Sequence, residues 1–417
     1  NDVLADVSAI TGDKKYLELA KRFSHRQLLD PMSEHRDTLD NKHANTQVPK
    51  AVGFQRIAQL SGDEKYAEAA KFFWKTVVTN RTLAFGGNSR REHFPAAQDC
   101  NEFIEERQGP ESCNTYNMLK LTKGLFETDP NASYADYYER ALYNHILSTQ
   151  HPEHGGYVYF TPVRPRHYRV YSAPNQAMWC CVGTGMENHG KYGEFIYSHE
   201  DNTLFVNLFI ASELNWKEKG VILRQETKFP DEPKTTFTFS SDEPVEFTLK
   251  IRHPSWVPSG QLKFTLGDKT WVSESRPSSY VEITRSWKKG DRLEVSLPMH
   301  TTIEAMPNVP EYVAILYGPI VLGAKTGTED LRGLIADDGR WSHIANGPLE
   351  PLDTAPMLAG KLSDIPQEVT PIEGESLHFR ATKLIKPDSY SDLVLEPFFR
   401  IHDARYMMYW LVAPPED

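Results

Sequence analysis

Thr11-Gly12-Asp13-Lys14-Lys15-Tyr16 returns fifty residues later as Ser61-Gly62-Asp63-Glu64-Lys65-Tyr66. Each copy sets a hydroxyl, a glycine and an aspartate ahead of a run whose apolar residues recur at helical spacing. The first run carries Tyr16, Leu17, Leu19, Ala20 and Phe23, the second Tyr66, Ala69, Ala70, Phe73 and Trp74. Tyr137, Tyr138, Ala141, Leu142 and Ile146 mark a further helix. A repeated loop and helix start predicts helical hairpins packed in series, as a solenoid or a closed α/α toroid, over residues 1–202. Long loops interrupt this region at Asp37 to Pro49, Gly86 to Pro110 and His151 to Gly185, and loops of that length in a compact domain usually carry function.

From about residue 203 the period changes to two. Thr203 to Ile210, Thr235 to Phe239, Val245 to Ile251, Leu262 to Leu266, Tyr280 to Ile283 and Leu293 to Leu297 alternate as half-buried strands do, which predicts a β-sandwich over 203–325. Residues 326–417 are richer in proline and return to strand at Leu393 to Phe399 and Tyr406 to Val412, as a second small β-rich domain or an extension of the sandwich. The fold class expected is therefore multidomain, helices then strands.

A chain of 417 residues exceeds one compact core. The net charge of −11 argues against a nucleic-acid partner, which needs a clustered basic surface. No run of 18 apolar residues spans a membrane, so the protein is expected to be soluble. Asn1 to Gly12 read as the tail of a helix, so the chain is expected to start inside its first domain, and its compartment is not readable from it.

Four cysteines make no disulfide framework, but their grouping points to metal or redox chemistry. Glu111-Ser112-Cys113 sets a carboxylate two residues from a thiol, and Cys180-Cys181 follows. One carboxylate and three thiolates complete a tetrahedral set, and a sulfur-rich shell favours Zn2+ over magnesium or calcium. The spacing matches no structural zinc knuckle, so buried free cysteines are the alternative on these residues alone. Cys100 has no ligand-like neighbour and reads as structural.

Several motifs together carry a resemblance. Gly86-Gly-Asn-Ser-Arg-Arg-Glu92-His-Phe, Gly109-Pro-Glu-Ser-Cys-Asn-Thr-Tyr-Asn-Met-Leu-Lys-Leu, Tyr137-Tyr-Glu-Arg-Ala-Leu-Tyr-Asn-His-Ile-Leu and Met178-Trp-Cys-Cys-Val-Gly, with His43-Ala-Asn-Thr-Gln-Val-Pro and Gly156-Tyr-Val-Tyr-Phe-Thr-Pro, resemble the bacterial β-L-arabinofuranosidases of glycoside hydrolase families 127 and 146. The resemblance covers nearly the whole chain. It implies an (α/α)6 barrel followed by one or two β-sandwich domains. Only about half of the barrel's helices fit before residue 200, so its N-terminal part is expected to be missing and the chain alone to be inactive.

The resemblance makes Glu111, Cys113, Cys180 and Cys181 the Zn2+ ligands, Cys180 the nucleophile and Glu92 the acid/base of a retaining glycosidase, acting on arabinose-containing plant glycans in the bacterial periplasm or cytoplasm. His43, Glu139 and Tyr159 become contacts to the sugar, while Trp179, Glu187, His189 and His35-Arg36-Asp37 read as structural. Two rival readings stay open: a carbohydrate-binding or scaffold protein with a structural zinc, and a carboxylate-pair glycosidase or lyase on the same toroid.

Overall fold

The computed structural model describes residues 1–413. Its first half is helical: α1 (Asp2–Thr11), α2 (Lys14–Arg22), α3 (Arg26–Ser33), α4 (Ala44–Ser61), α5 (Glu64–Asn80), α6 (Glu102–Glu105), α7 (Ser112–Thr128), α8 (Ala132–Ala141) and α9 (Cys180–Gly190). The repeated hexapeptide is one turn used twice. Thr11 and Ser61 donate their hydroxyls to Val7 O and Ile57 O, each at 2.7 Å, and Gly12 and Gly62 follow in left-handed conformation. Asp13 and Asp63 then cap α2 and α5 by accepting from Lys15 N and Lys65 N. Glycine suits the turn because it has no Cβ to clash at positive φ, and aspartate takes an otherwise unpaired N–H at the next helix start.

The hairpins pack side by side, with α4 against α1, α5 and α7. Their shared core holds Val48, Phe54, Phe73, Met118, Leu121, Tyr138 and Ile146. At its end α8 widens into a π-helical turn, Leu142–Ile146. Asn144 in that turn donates to Pro319 O and accepts from Val321 N, stitching the helices to a β-hairpin far along the chain.

Two sheets form the sandwich. Four strands run in the order Ser279–Trp287, Val245–His253, Thr203–Val206, Tyr197–Glu200, and six in the order Ser212–Trp216, Val221–Thr227, Lys234–Ser240, Arg292–Ser296, Lys263–Leu266, Lys269–Val272. Phe237, Phe239, Phe247, Leu249, Trp287 and Leu293 fill the core they share.

The expected change of domain at residue 326 falls inside a strand, Ile320–Gly327. That strand pairs with Val394–Pro397 and Arg405–Met407, and its neighbour Val309–Tyr317 pairs with Thr301–Met306 and Tyr409–Ala413. The last sheet therefore begins at Thr301. The strand across the junction is buried over its first five residues, on both faces alike, and the partners that pair with it lie some eighty residues downstream, so the border left no local mark. This sheet is not isolated. Val313, Ile315 and Trp410 join the sandwich core, while Met306, Leu316, Phe398 and Tyr409 pack on Leu83, Phe85 and Phe103 of the helical region. Among the described residues no helix is long and apolar enough to cross a membrane.

Candidate metal and catalytic site

Glu111 stands at the N-cap position of α7 with its carboxylate turned away from the helix, Cys113 lies in the first turn, and Cys180 and Cys181 open α9. Two helix N-termini thus meet, and their partial positive charge favours carboxylate and thiolate at that point. The backbone before α7 is locked by an isolated antiparallel bridge. Ser112 N donates to Tyr159 O, Thr161 N to Pro110 O, and Glu111 N to Ser89 Oγ. A Cβ on Gly109 would stand 2.1 Å from Thr161 O, which explains the glycine of the Gly-Pro-Glu-Ser-Cys motif. The register sets Glu111 opposite Phe160 and so brings Tyr159 to the same place.

One ligand atom from each of Glu111, Cys113, Cys180 and Cys181 lies within 4.8 Å of the other three. Cys113 Sγ stands 3.0 Å from Cys181 Sγ, and Glu111 Oε1 lies 3.8 Å from Cys181 Sγ and 3.9 Å from Cys180 Sγ. A tetrahedral zinc site places its sulfurs roughly 3.8 Å apart, so the cluster fits an ion after a small spreading of Cys113 and Cys181. Asn45 Nδ2 donates to Glu111 Oε1 at 3.1 Å, whereas Glu111 Oε2 is buried without a hydrogen-bond partner. An unpaired buried carboxylate oxygen among three thiols is the donor expected of a site made for a cation. Thr184, one turn along α9, brings its hydroxyl to 3.0 Å from Cys113 Sγ.

Without a cation these groups cannot all ionise, since like charges a few ångström apart repel. Burial, then the negative charge of Cys180 and Glu92, pushes the Glu111 carboxyl up to about 8. Hydrogen bonds from Cys113 and Cys181 hold the Cys180 thiol down at about 2, against burial, with Tyr159 adding to them. Cys113 is pushed up by Cys180, and Cys181 by burial. Cys180 is thus the thiolate of the cluster. It is also the exposed cysteine, while Glu111, Cys113 and Cys181 are buried.

Glu92 faces this cluster through Tyr159. The Tyr159 hydroxyl donates to Glu92 Oε1, and His43 Nε2 lies 3.5 Å from Glu92 Oε2. Burial, then the charge of Glu111, raises Tyr159, so its phenol stays a donor. Arg91 and Glu92 occupy the left-handed region, at φ 47° and 66°. Ala44 N to Glu92 O, Arg91 N to Gln108 O and the paired bonds between Arg90 and His93 hold them there. Strain of this kind persists only where surrounding bonds enforce it.

Of the residues expected at the site, His43, Glu92, Glu111, Cys113, Tyr159, Cys180 and Cys181 come together. Glu139 does not. Its carboxylate is fully buried at the border with the sandwich, bound to Arg252 and to Trp256 Nε1, so its place as a sugar contact is corrected to a structural ion pair. Its neighbour Arg140 pairs with Glu304 rather than with Glu139. Helical periodicity gave no sign that this face of α8 meets another domain. Glu187 and His189 bond Tyr116 and Tyr192, and Asp37 bonds Arg81. Glu102 and Glu106 pair with Arg90 and Arg91. Cys100 is buried, its thiol pushed up to about 11 by burial, and takes no part.

Four residues at the site were not expected there. Asn45 sits in the quoted His43-Ala-Asn motif but has an ordinary helix-start reading. Trp179 precedes the paired cysteines, and its buried Nε1 has no partner. Thr184 needs the turn of α9 to reach Cys113. His343 comes from the last region and stacks on Tyr159 with ring centres 4.2 Å apart, which no local pattern foretells.

Comparison with known proteins bears on the family and the fold. Residues 1–194 match the catalytic domain and residues 203–299 the middle domain of the GH127 β-L-arabinofuranosidases, and residues 302–412 match a domain of unknown function. A non-reducing end β-L-arabinofuranosidase of Bifidobacterium longum subsp. longum is 23% identical over 348 residues, 76% of this chain and 51% of that protein. The chain therefore spans about half the length of the curated relative it matches. A GH127 β-L-arabinofuranosidase from Geobacillus stearothermophilus T6 superposes with TM-score 0.73 at 18% identity, over 98% of this chain and 71% of that one. A further GH127 β-arabinofuranosidase gives TM-score 0.69 at 19% identity, over 98% and 68%. These likenesses support the toroid-then-sandwich order. With two consecutive regions matching its catalytic and middle domains, the chain belongs to glycoside hydrolase family 127.

Proposed function

We propose that this chain carries the active site of a retaining exo-β-L-arabinofuranosidase that acts on arabinose-containing glycans, with zinc held by Glu111, Cys113, Cys180 and Cys181. The observation that carries the reading is the exposed Cys180 sulfur, set in an otherwise buried cluster of Glu111, Cys113 and Cys181, with Glu92 held beside the cluster by Tyr159. A structural zinc is enclosed on every side, whereas here one vertex opens to solvent. When bound, zinc keeps the sulfurs deprotonated without mutual repulsion and fixes the direction of the Cys180 sulfur. Three sulfurs in the donor set favour it over harder cations.

The remaining chemistry belongs to the protein. In the first step Cys180 Sγ attacks the anomeric carbon, the bond to the leaving oxygen breaks with its electron pair, and Glu92 gives that oxygen a proton. In the second step Glu92 takes a proton from water, the water oxygen attacks the anomeric carbon, and the carbon–sulfur bond returns its pair to Cys180. Two inversions retain configuration. Tyr159 and His43 hold the Glu92 carboxylate in place through both steps.

A screen of synthetic furanosides and pyranosides with the full-length protein tests this. Turnover of β-L-arabinofuranosides with the β-anomer of arabinose as first product is expected. Turnover confined to other sugars, or an α-anomer as first product, refutes it.

A further inference from the structure

The last region, which matches a domain of unknown function, sends one loop, residues 337–346, to the site. Its base is fixed on both sides. Ile335–Ala336 pairs in parallel with Tyr171–Ser172 of the helical region, and Ala336 and Ala345 are buried with Tyr168 and Val170. Within the loop Asp337 Oδ1 accepts from Gly339 N at 2.9 Å and from Ser342 Oγ at 2.6 Å, holding the turn closed. His343, buried, stacks on Tyr159 at 4.2 Å and meets the edge of Trp179 at 5.5 Å, and Ile344 packs on the apolar side of Cys113 and Cys181. Both ends of the loop are thus seated on the residues that surround the Cys180 sulfur, and its tip is exposed.

Trp341 stands at its tip. Its ring lies 6.1 Å from that of His343, one ring removed from Tyr159, and is 64% exposed. Among the described residues every other tryptophan is buried or half-buried. Arg340 sits over the indole at 5.0 Å and steadies it. A large apolar ring held in water on a rigid loop costs solvation unless something covers it, and the axial C–H faces of a sugar ring fit an indole face. The Cys180 and Glu92 groups act on one furanose ring. A glycosidic substrate continues beyond the oxygen that Glu92 protonates, so a second ring needs a surface at the rim.

We propose that Trp341 is the platform for the leaving-group sugar, which makes the last region a part of the active site that sets its preference for a disaccharide linkage. The inference rests on the reading of the site as a β-L-arabinofuranosidase. Trp341→Ala in the full-length protein is compared with wild type on an arabinofuranosyl disaccharide and on the arabinofuranosyl fluoride, whose leaving group carries no sugar. The variant loses roughly tenfold in kcat/KM on the disaccharide, mostly through KM, and keeps its rate on the fluoride, while Trp341→Phe restores most of the loss. Equal losses on both substrates mark the loop as merely structural, and no loss on either shows the indole is not used; both overturn the inference with the glycosidase reading intact. A wild-type protein that turns over neither substrate removes both.

Discussion

Cys180 differs from its three neighbours in being exposed and ionised, and each difference has a consequence that can be measured. Without metal, burial and neighbouring charge raise Glu111 and Cys181, the bond to Cys180 raises Cys113, and bonds from Cys113 and Cys181 lower Cys180, which favours protons on the first three. Zinc loading must displace those protons, about three below pH 8 and about two above it, where Glu111 is already ionised. Affinity should therefore rise with pH, with the steeper slope on the acid side, and calorimetry in buffers of different ionisation enthalpy reads the count; release of one proton or none contradicts the charge state derived above. The cysteines should also separate by role. Cys113→Ser fails through metal loss, seen by elemental analysis, whereas Cys180→Ser loses turnover by about a thousandfold or more, the scale of a lost nucleophile. Full activity of Cys180→Ser with zinc bound is the contrary result.

At the scale of elements, the site depends on how loops between helices are tied down. Arg81 is fully buried and donates to Pro95 O, to Asp37 at 2.7 Å and to Asp40, bracing the loop that leads to His43 and, through Ala44 N, to Glu92. Burial acts to raise the Asp37 carboxyl, but bonds from Arg81, Leu39 N and Thr76 overcome it and leave it below its usual 3.8. A lowered carboxylate stabilises the fold above its unfolded value and loses that contribution as pH falls through the folded one. Arg81→Met should cost about 3 kcal/mol and reduce kcat, with the urea-midpoint difference from wild type narrowing below pH 4. A variant as stable and active as wild type rules this bracing out. This is also where legibility ended. The helix starts at Asp13 and Asp63 and the strands that alternate could be read from the sequence, because capping and periodicity are local. The Glu111, Cys113, Cys180 and Cys181 group was legible because chemistry that rare stands out. Glu139 and His343 were not, since a buried pair with Arg252 and a stack on Tyr159 exist only once distant regions meet.

Across the whole molecule, the three regions share cores instead of hanging as separate beads. Glu139 and Asp136 on α8 hold Arg252 of the sandwich at a fully buried border, and Trp256 completes the carboxylate's bonds. Glu139→Ala leaves a buried guanidinium short of a partner, so it should lower stability by about 3–5 kcal/mol while KM for an arabinofuranoside stays unchanged in the folded fraction. A raised KM with unaltered melting temperature would return Glu139 to the sugar. The central claim, that a cysteine and not a carboxylate receives the sugar, is tested most directly by trapping. Glu92→Gln treated with an aryl arabinofuranoside, whose leaving group departs without an acid, forms the intermediate but lacks the base that hydrolyses it. Peptide mass spectrometry should then find one arabinosyl group on Cys180, released by added azide. A sugar found on a carboxylate, or none at any stage from an active wild-type protein, contradicts the account.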